Sequence, residues 1–277
     1  MPYIKFKNEG IPHDIERNII PLLVKRGEYG ELSKEEYNTI KYKIHQLRVK
    51  LNLTKEKLLS MRKVYIRDAL IKRSNLIYNC DSKIFEMYRA GDSVVKISKK
   101  LNFSPMMIFR SLLRNKGLSK KQITKVMTEP DIYLNDNDLN EFNDALKHDI
   151  ISDPDNTMAV KFADDYEKKI EELLVKHGIS FKTQKDLIDD QTRLFGRTIA
   201  SPDFYIPQGV NINGNLLYWI DAKCYYGGNA GYIKRSLKDQ SERYNKHFGV
   251  GGFVFKHGFS EALRPFEKKG AYLFEYF

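Results

Sequence analysis

The sequence predicts an α + α/β protein: an N-terminal helical part with a helix-turn-helix, followed by a C-terminal α/β domain. Three observations carry this expectation. Residues 1–130 place apolar side chains at helical spacing behind helix-start signals. Beyond residue 150, apolar and aromatic residues gather into short runs bounded by Gly, Pro or Asn, as strands are. The charge changes in step: residues 1–130 carry 28 Lys and Arg against 13 Asp and Glu, whereas 131–277 carry 19 against 23. A basic half can hold a polyanion, and an acidic half can hold metal ions.

The helical part opens with Ser33 and Glu36, an S-x-x-E capping box followed by Tyr37, Ile40 and Ile44 on one helical face. Thr54 opens a second long helix through Leu58, Met61, Tyr65 and Leu70. Ile84–Ala90 reads as a short helix ended by Gly91, and Val94–Leu101 as the next. After a turn at Asn102-Phe103, Ser104 caps a third helix with Pro105 at its first position, running to about Asn115. Such a three-helix arrangement is the pattern of a helix-turn-helix, with Arg110 and Arg114 one turn apart on the presumed recognition helix and Lys99 and Lys100 just upstream. These four would contact mainly phosphates. The alternative is a bundle used for packing or protein docking. The Asn- and Asp-rich stretch 128–140 suggests a boundary, giving domains of 1–130 and 150–277.

In the second part, a helix is expected from Asn156 to His177, stopped by Gly178. Strands are expected at Ile179–Phe181, Phe204–Ile206, Leu216–Ile220, Gly252–Phe255 and Tyr272–Phe277. Asn213-Gly214 reads as a tight hairpin turn, and a further helix covers Ile233–His247. Helix, strands, helix, strand is an α/β order.

The chemistry concentrates in Ser201-Pro202-Asp203-Phe204 and in Tyr218-Trp219-Ile220-Asp221-Ala222-Lys223. Asp221 and Lys223 are two apart, so a strand places both on one face. If Phe204 and Leu217 lie on paired arms of the hairpin, Asp203 can sit near Asp221 at its open end. Two carboxylates and an ammonium suit phosphodiester hydrolysis with Mg²⁺ or Mn²⁺: carboxylate oxygens hold a hard cation, and the ammonium offsets charge on the phosphate. On the preceding helix Glu167 borders the apolar stripe of Ala163, Tyr166, Ile170 and Leu174 and is the first choice for a third carboxylate, with Glu171 second. On the later helix Gln240 and Tyr244 are one turn apart and can face the same site. The glycine-rich loop Gly227–Gly231 lacks a G-K-[ST] ending, so it is no P-loop; it reads as a mobile segment near substrate. The competing readings are a non-catalytic DNA-binding scaffold and a protein-docking module.

With these residues in view, the sequence resembles the codanin-interacting nuclease family, within the PD-(D/E)xK nuclease superfamily, over roughly Leu53 to the C-terminus. The resemblance rests on SPDF (201–204), YWIDAK (218–223), Tyr226-Gly227 and the helix around Gln240. The family pattern reads T-P-D-F and W-I-E-S-K; Ser201 and Asp221 depart from it, and the shorter Asp221 would shift a metal slightly. The resemblance implies a restriction-endonuclease-like catalytic fold behind helix-turn-helix segments. It also implies a metal-binding set of Asp203, Asp221 and Glu167 and, in a eukaryote, a codanin-like partner; it does not set the substrate, which the basic half points to as nucleic acid, DNA first.

Composition excludes other classes. No apolar run approaches the roughly 20 residues of a membrane helix, and the N-terminus lacks the apolar core of a signal peptide. The two cysteines, Cys80 and Cys224, lack CxxC spacing, and six scattered histidines lack metal-ligand spacing. An intracellular location, nucleus or cytoplasm, is expected, with no membrane partner.

Overall fold

A computed structural model describes residues 2–46, 53–152 and 157–276. The fold is mixed α and β. Its residues form two compact units, one of residues 1–18, 51–61 and 160–277, the other of residues 19–50 and 62–159. The strands are β1 (Tyr3–Ile4), β2 (Lys182–Thr183), β3 (Phe204–Ile212), β4 (Asn215–Lys223), β5 (Gly251–Phe255) and β6 (Ala271–Glu275). The helices are α1 (His13–Leu23), α2 (Lys34–Gln46), α3 (Lys55–Arg73), α4 (Asp81–Arg89), α5 (Val94–Leu101), α6 (Pro105–Asn115), α7 (Lys120–Thr128), α8 (Pro130–Tyr133), α9 (Asp136–Lys147), α10 (Thr157–Lys176), α11 (Gln184–Phe195) and α12 (Gly231–Phe248).

The sheet of the first unit runs β1-β3-β4-β5-β6, with β2 also on β3. β3 and β4 form an antiparallel hairpin; β4, β5 and β6 are parallel. The hairpin turn is Asn213-Gly214, both at positive φ (51° and 88°), the conformation that matches strand twist in a two-residue loop. Asn213 also clasps the N-terminal strand region: its Oδ1 accepts the Phe6 N–H (2.9 Å) and its Nδ2 donates to Phe6 O (2.8 Å).

Side-chain alternation sorts the two faces of the sheet. Ile220, Val254, Val210 and Ile212 pack with Tyr166, Ile170 and Leu174 of α10. On the opposite face Trp219 meets Phe253 and Tyr244 of α12 edge-on, with ring centroids 5.2 Å apart in each pair. The buried Trp219 indole N–H donates to Gly249 O at 2.8 Å. Its ring lies flat against the backbone of Gly251, where a Cβ would sit 2.1 Å from Cδ2.

In the second unit, α6 forms the centre of a core with Ile84, Val94, Ile97, Phe109, Leu112 and Phe142. Ser93, Ser104 and Ser119 cap α5, α6 and α7 as their side-chain oxygens accept backbone N–H groups one turn on. Asn102 ends α5 in the left-handed region, and its Oδ1 accepts from Gly27 N and Tyr29 Oη, both at 2.9 Å.

Four local expectations differ from the structure. Ile179–Phe181 is not a strand: the Ile179 N–H closes the end of α10 on Leu174 O (3.0 Å), and pairing begins at Lys182. α11 was not anticipated; Thr183 starts it with a reciprocal cap to Asp186. Tyr3–Ile4, in the part expected to be helical, pairs in parallel with Asn211–Ile212. The 128–140 stretch is helical rather than open, because Asn135 caps α9 and Phe142 enters the helical core. Asn156, the expected start of α10, and Phe277, the expected end of β6, lie outside the described residues.

Candidate active site

Strand register builds the site. Phe204 pairs with Ile220, so the residue before β3, Asp203, stands beside Asp221 at the open end of the hairpin. Asp203 Oδ2 accepts the backbone N–H of Ala222 at 2.7 Å, and Gln184 N–H donates to Asp203 O at 3.0 Å. Both carboxylates are buried, Asp203 at 9% exposure and Asp221 at 3%. Lys223 projects on the Asp221 side of β4 and pairs with Asp221 Oδ1. The ammonium also lies 5.5 Å from the centre of the Phe253 ring.

The electrostatics follow from burial and, after it, from crowding. Burial, then Asp221, then Glu167 push Asp203 up to about 8; Lys223 and the Ala222 N–H pull against them. Burial, then Asp164 and Asp221, raise the Glu167 carboxyl. Burial by itself would lower Lys223, but Asp221, Tyr225 and Asp203 hold it above its ordinary value, so it is an ammonium at neutral pH. Gln240 of α12 contributes a buried Oε1 that accepts no hydrogen bond. On the same face Tyr244 places its hydroxyl 3.4 Å from Ser201 O, and burial followed by Asp221 raises its pKa.

The structure thus brings Asp203, Asp221, Lys223 and Tyr244 together, with Glu167 near enough to influence Asp203, and Gln240 lies one turn before Tyr244 on α12. Among the described residues no three His, Cys, Asp or Glu side chains converge into a complete metal-ligand cluster. The donor set still suits a hard divalent cation: two buried carboxylates stand side by side at the open end of the hairpin. Cys224 points to the other face, where its thiol lies 3.2 Å from Phe162 O, as alternation from Lys223 requires.

Tyr225 was missed by the sequence reading. Burial raises its phenol, and it lies within electrostatic reach of Lys223 and Asp221. The two-residue spacing of 221, 223 and 225 was visible in the sequence, although β4 itself ends at Lys223 and Tyr225 lies in the bend that follows. The loop expected to be mobile is packed instead. Gly227 and Gly228 are buried, Gly227 N–H bonds Gly258 O (2.9 Å), and Ser260 N–H bonds Gly227 O (2.8 Å). Beneath it lies a network with no sequence signature. The Tyr226 hydroxyl donates to Glu16 Oε1 at 2.7 Å, Ser260 Oγ donates to Glu16 Oε2 at 2.5 Å, and Tyr226 N–H donates to Ser60 Oγ at 2.8 Å. Glu16 is fully buried.

The four basic residues of the helical unit are dispersed in role. Lys99 and Lys100 are exposed on α5, and Lys100 pairs with Asp92 at 2.7 Å. Arg114 is held by Asp81 at 2.8 Å and lies over the Tyr78 ring. Arg110 is half-buried and lowered by desolvation. With Met107 these two arginines form a narrow stripe on a helix whose other residues are mostly buried. No helix among the described residues is long and apolar enough to cross a membrane.

Comparisons with known proteins bear on the same region. A family model described as "protein of unknown function TPD sequence-motif" matches residues 134–277, just over half of the chain. The chain is 34% identical over 102 residues to uncharacterized protein L539 of Acanthamoeba polyphaga mimivirus, covering 35% of each. It is 24% identical over 189 residues to CDAN1-interacting nuclease 1 of Xenopus laevis, covering 65% of this chain and 60% of the relative. With the Xenopus tropicalis protein of the same name it shares 24% identity over 224 residues, or 74% and 71% of the two chains. The similarity thus spans about a third of the viral protein and three fifths of the first frog protein. No solved structure matches the chain. The match over the whole hairpin and both flanking helices places the chain in the TPD sequence-motif family, that of the codanin-interacting nucleases.

Proposed function

We propose that this chain is a metal-dependent nuclease of the PD-(D/E)xK type, acting on DNA through a restriction-endonuclease-like domain. One observation carries the reading: two buried carboxylates, Asp203 and Asp221, stand side by side at the open end of the hairpin with the Lys223 ammonium beside them, and burial followed by Asp221 raises Asp203 to about 8. Such crowding is unfavourable without a cation to share, and active sites are where it is tolerated. A bound Mg²⁺ or Mn²⁺ would supply Lewis acidity and lower the pKa of a water ligand. Asp203 and Asp221 would hold it, with Glu167 as the outer carboxylate. The Ala222 N–H fixes Asp203 through one of its two carboxylate oxygens. Lys223 stays charged and offsets negative charge developing on a phosphate. The buried carbonyl of Gln240 can accept a proton donor from an attacking water and orient it.

The relatives' printed name supports nuclease activity and, separately, a codanin-like protein partner. α4, α5 and α6, the last two capped by Ser93 and Ser104, support a helix-turn-helix reading in which Lys99, Lys100, Arg110 and Arg114 face a DNA backbone. The test is cleavage of duplex, single-stranded and forked DNA with Mg²⁺ or Mn²⁺ by the full chain and by Asp203→Asn. Cleavage by the parent and none by the variant supports the reading. No cleavage of any substrate by the parent replaces it with a binding scaffold.

A further inference from the structure

The nuclease chemistry leaves one built feature of the same unit unused. At the end of α11, Leu194 and Phe195 are 67% and 60% exposed, and Arg193 and Arg197 flank them in solvent. The tip is not a frayed end. Gly196 closes the helix at φ 68°, and its N–H donates to Thr192 O at 2.9 Å. Gln191 then folds the following loop back onto the helix. Its Oε1 accepts the N–H groups of Ile199 (2.6 Å) and Ala200 (2.9 Å), and its Nε2 donates to Ala200 O. These bonds leave Leu194 and Phe195 outside the fold at the apex of a rigid turn.

The same element is tied to the carboxylates. Its first residue, Gln184, donates to Asp203 O through the backbone, and its side chain donates to Ser201 O at 3.2 Å. A helix of 12 residues is about 18 Å long. The tip therefore stands some 18 Å from Asp203 along α11, about five base-pair steps at 3.4 Å each. Lys182 and Arg193 both pair with Asp190, which cancels that carboxylate, and Arg197 has no carboxylate partner among the described residues.

We infer that Leu194 and Phe195 form a wedge that inserts into or stacks against a base step of the DNA held by the active site, with Arg197 on the adjoining phosphate. The inference rests on the nuclease reading and deepens it by assigning a substrate contact. Two apolar side chains between guanidinium groups match the size and charge of one unstacked base step between phosphates. The rigid link to Ser201 and Asp203 fixes the distance between wedge and scissile bond.

The test uses the full chain and a duplex and fork with 2-aminopurine at successive positions from the mapped cut. For the parent, fluorescence rises on binding at a position about five nucleotides from the cut. In L194A/F195A that rise is lost, KM increases about tenfold, as expected for one lost stacking contact, and kcat stays within about twofold. Arg197→Ala raises KM less and lowers its salt dependence. If the parent cleaves but the double variant keeps both the fluorescence rise and the KM, the wedge is overturned. If the double variant cleaves like the parent but loses self-association on gel filtration, the tip belongs to a second copy and the wedge is equally overturned. If the parent neither binds nor cleaves any of these DNAs, the nuclease reading fails first, and the wedge falls with it.

Discussion

Asp203 accepts the backbone N–H of Ala222 at 2.7 Å, which locks the carboxylate of one strand onto the strand that carries Asp221 and Lys223. The bond explains why a residue outside β3 is held as firmly as one within the sheet. Asp203→Asn, Asp221→Asn and Lys223→Met are each expected to lower kcat/KM by roughly 10²-fold or more. Their effects should be far from additive, because the groups act as one unit. Steady-state cleavage with circular dichroism as a folding control measures this. Wild-type rates in Asp203→Asn and Lys223→Met would move the active site elsewhere.

The raised Asp203 makes the metal-free protein sensitive to pH. Its folded pKa of about 8 lies above the roughly 3.9 of an unfolded Asp. The folded chain therefore keeps a proton that unfolding releases. That contribution to stability is full below about pH 4 and is lost as pH rises through about 8. In EDTA, the wild-type Tm should fall more between pH 6 and 9 than that of Asp203→Asn. Parallel curves for the two proteins would contradict the crowding argument.

Beneath the site, Tyr226→Phe removes a buried hydrogen bond to Glu16 without changing side-chain volume much. A loss of about 1–3 kcal/mol of stability is expected, read as a lower urea midpoint with an unchanged m-value. The network fixes the loop after β4, so kcat should fall less than with any of the three site variants.

Gly251 has no room for a side chain, since a Cβ would lie 2.1 Å from the Trp219 ring. Gly251→Ala should cost about 1–3 kcal/mol through displacement of Trp219. Near-ultraviolet circular dichroism and tryptophan fluorescence should change with it. An unchanged midpoint would mean the sheet and α12 can separate without strain.

In the helical unit the four basic residues should separate by experiment. K99A/K100A should flatten the dependence of log K on log salt by roughly 0.9 per lost phosphate contact, equally for all sequences. Arg114→Ala should also reduce stability, because Arg114 is tied to Asp81 and Tyr78. Unchanged DNA affinity in K99A/K100A would assign this unit to protein docking.

Much of this molecule was legible along the chain. Serines at 93 and 104, Pro105 and the glycines at 91 and 178 mark helix ends by local chemistry, and the structure ends its helices there. Asn213-Gly214 announced the hairpin, because both residues tolerate positive φ. α11 escaped because its apolar residues do not form a helical stripe: Leu187 alone is buried, while Leu194 and Phe195 face solvent. β1 and β2 escaped because two residues carry no periodicity; they are strands only because β3 offers them an edge.

The same division applies to the site. Alternation on a strand, a property of the backbone, sets Asp221 and Lys223 on one face, and this could be read directly from the sequence. So could the family motif around Asp203. Only the tertiary structure decided the crowding of Asp203 with Asp221, the exposure of the α11 tip, and the burial of Glu16 against Tyr226 and Ser260. Those relations join residues up to 244 positions apart. They depend on strand register and on which faces are covered, and no local pattern encodes either. Patterns of 2.0 and 3.6 residues tell a side chain which way to point, and packing alone determines what it meets there.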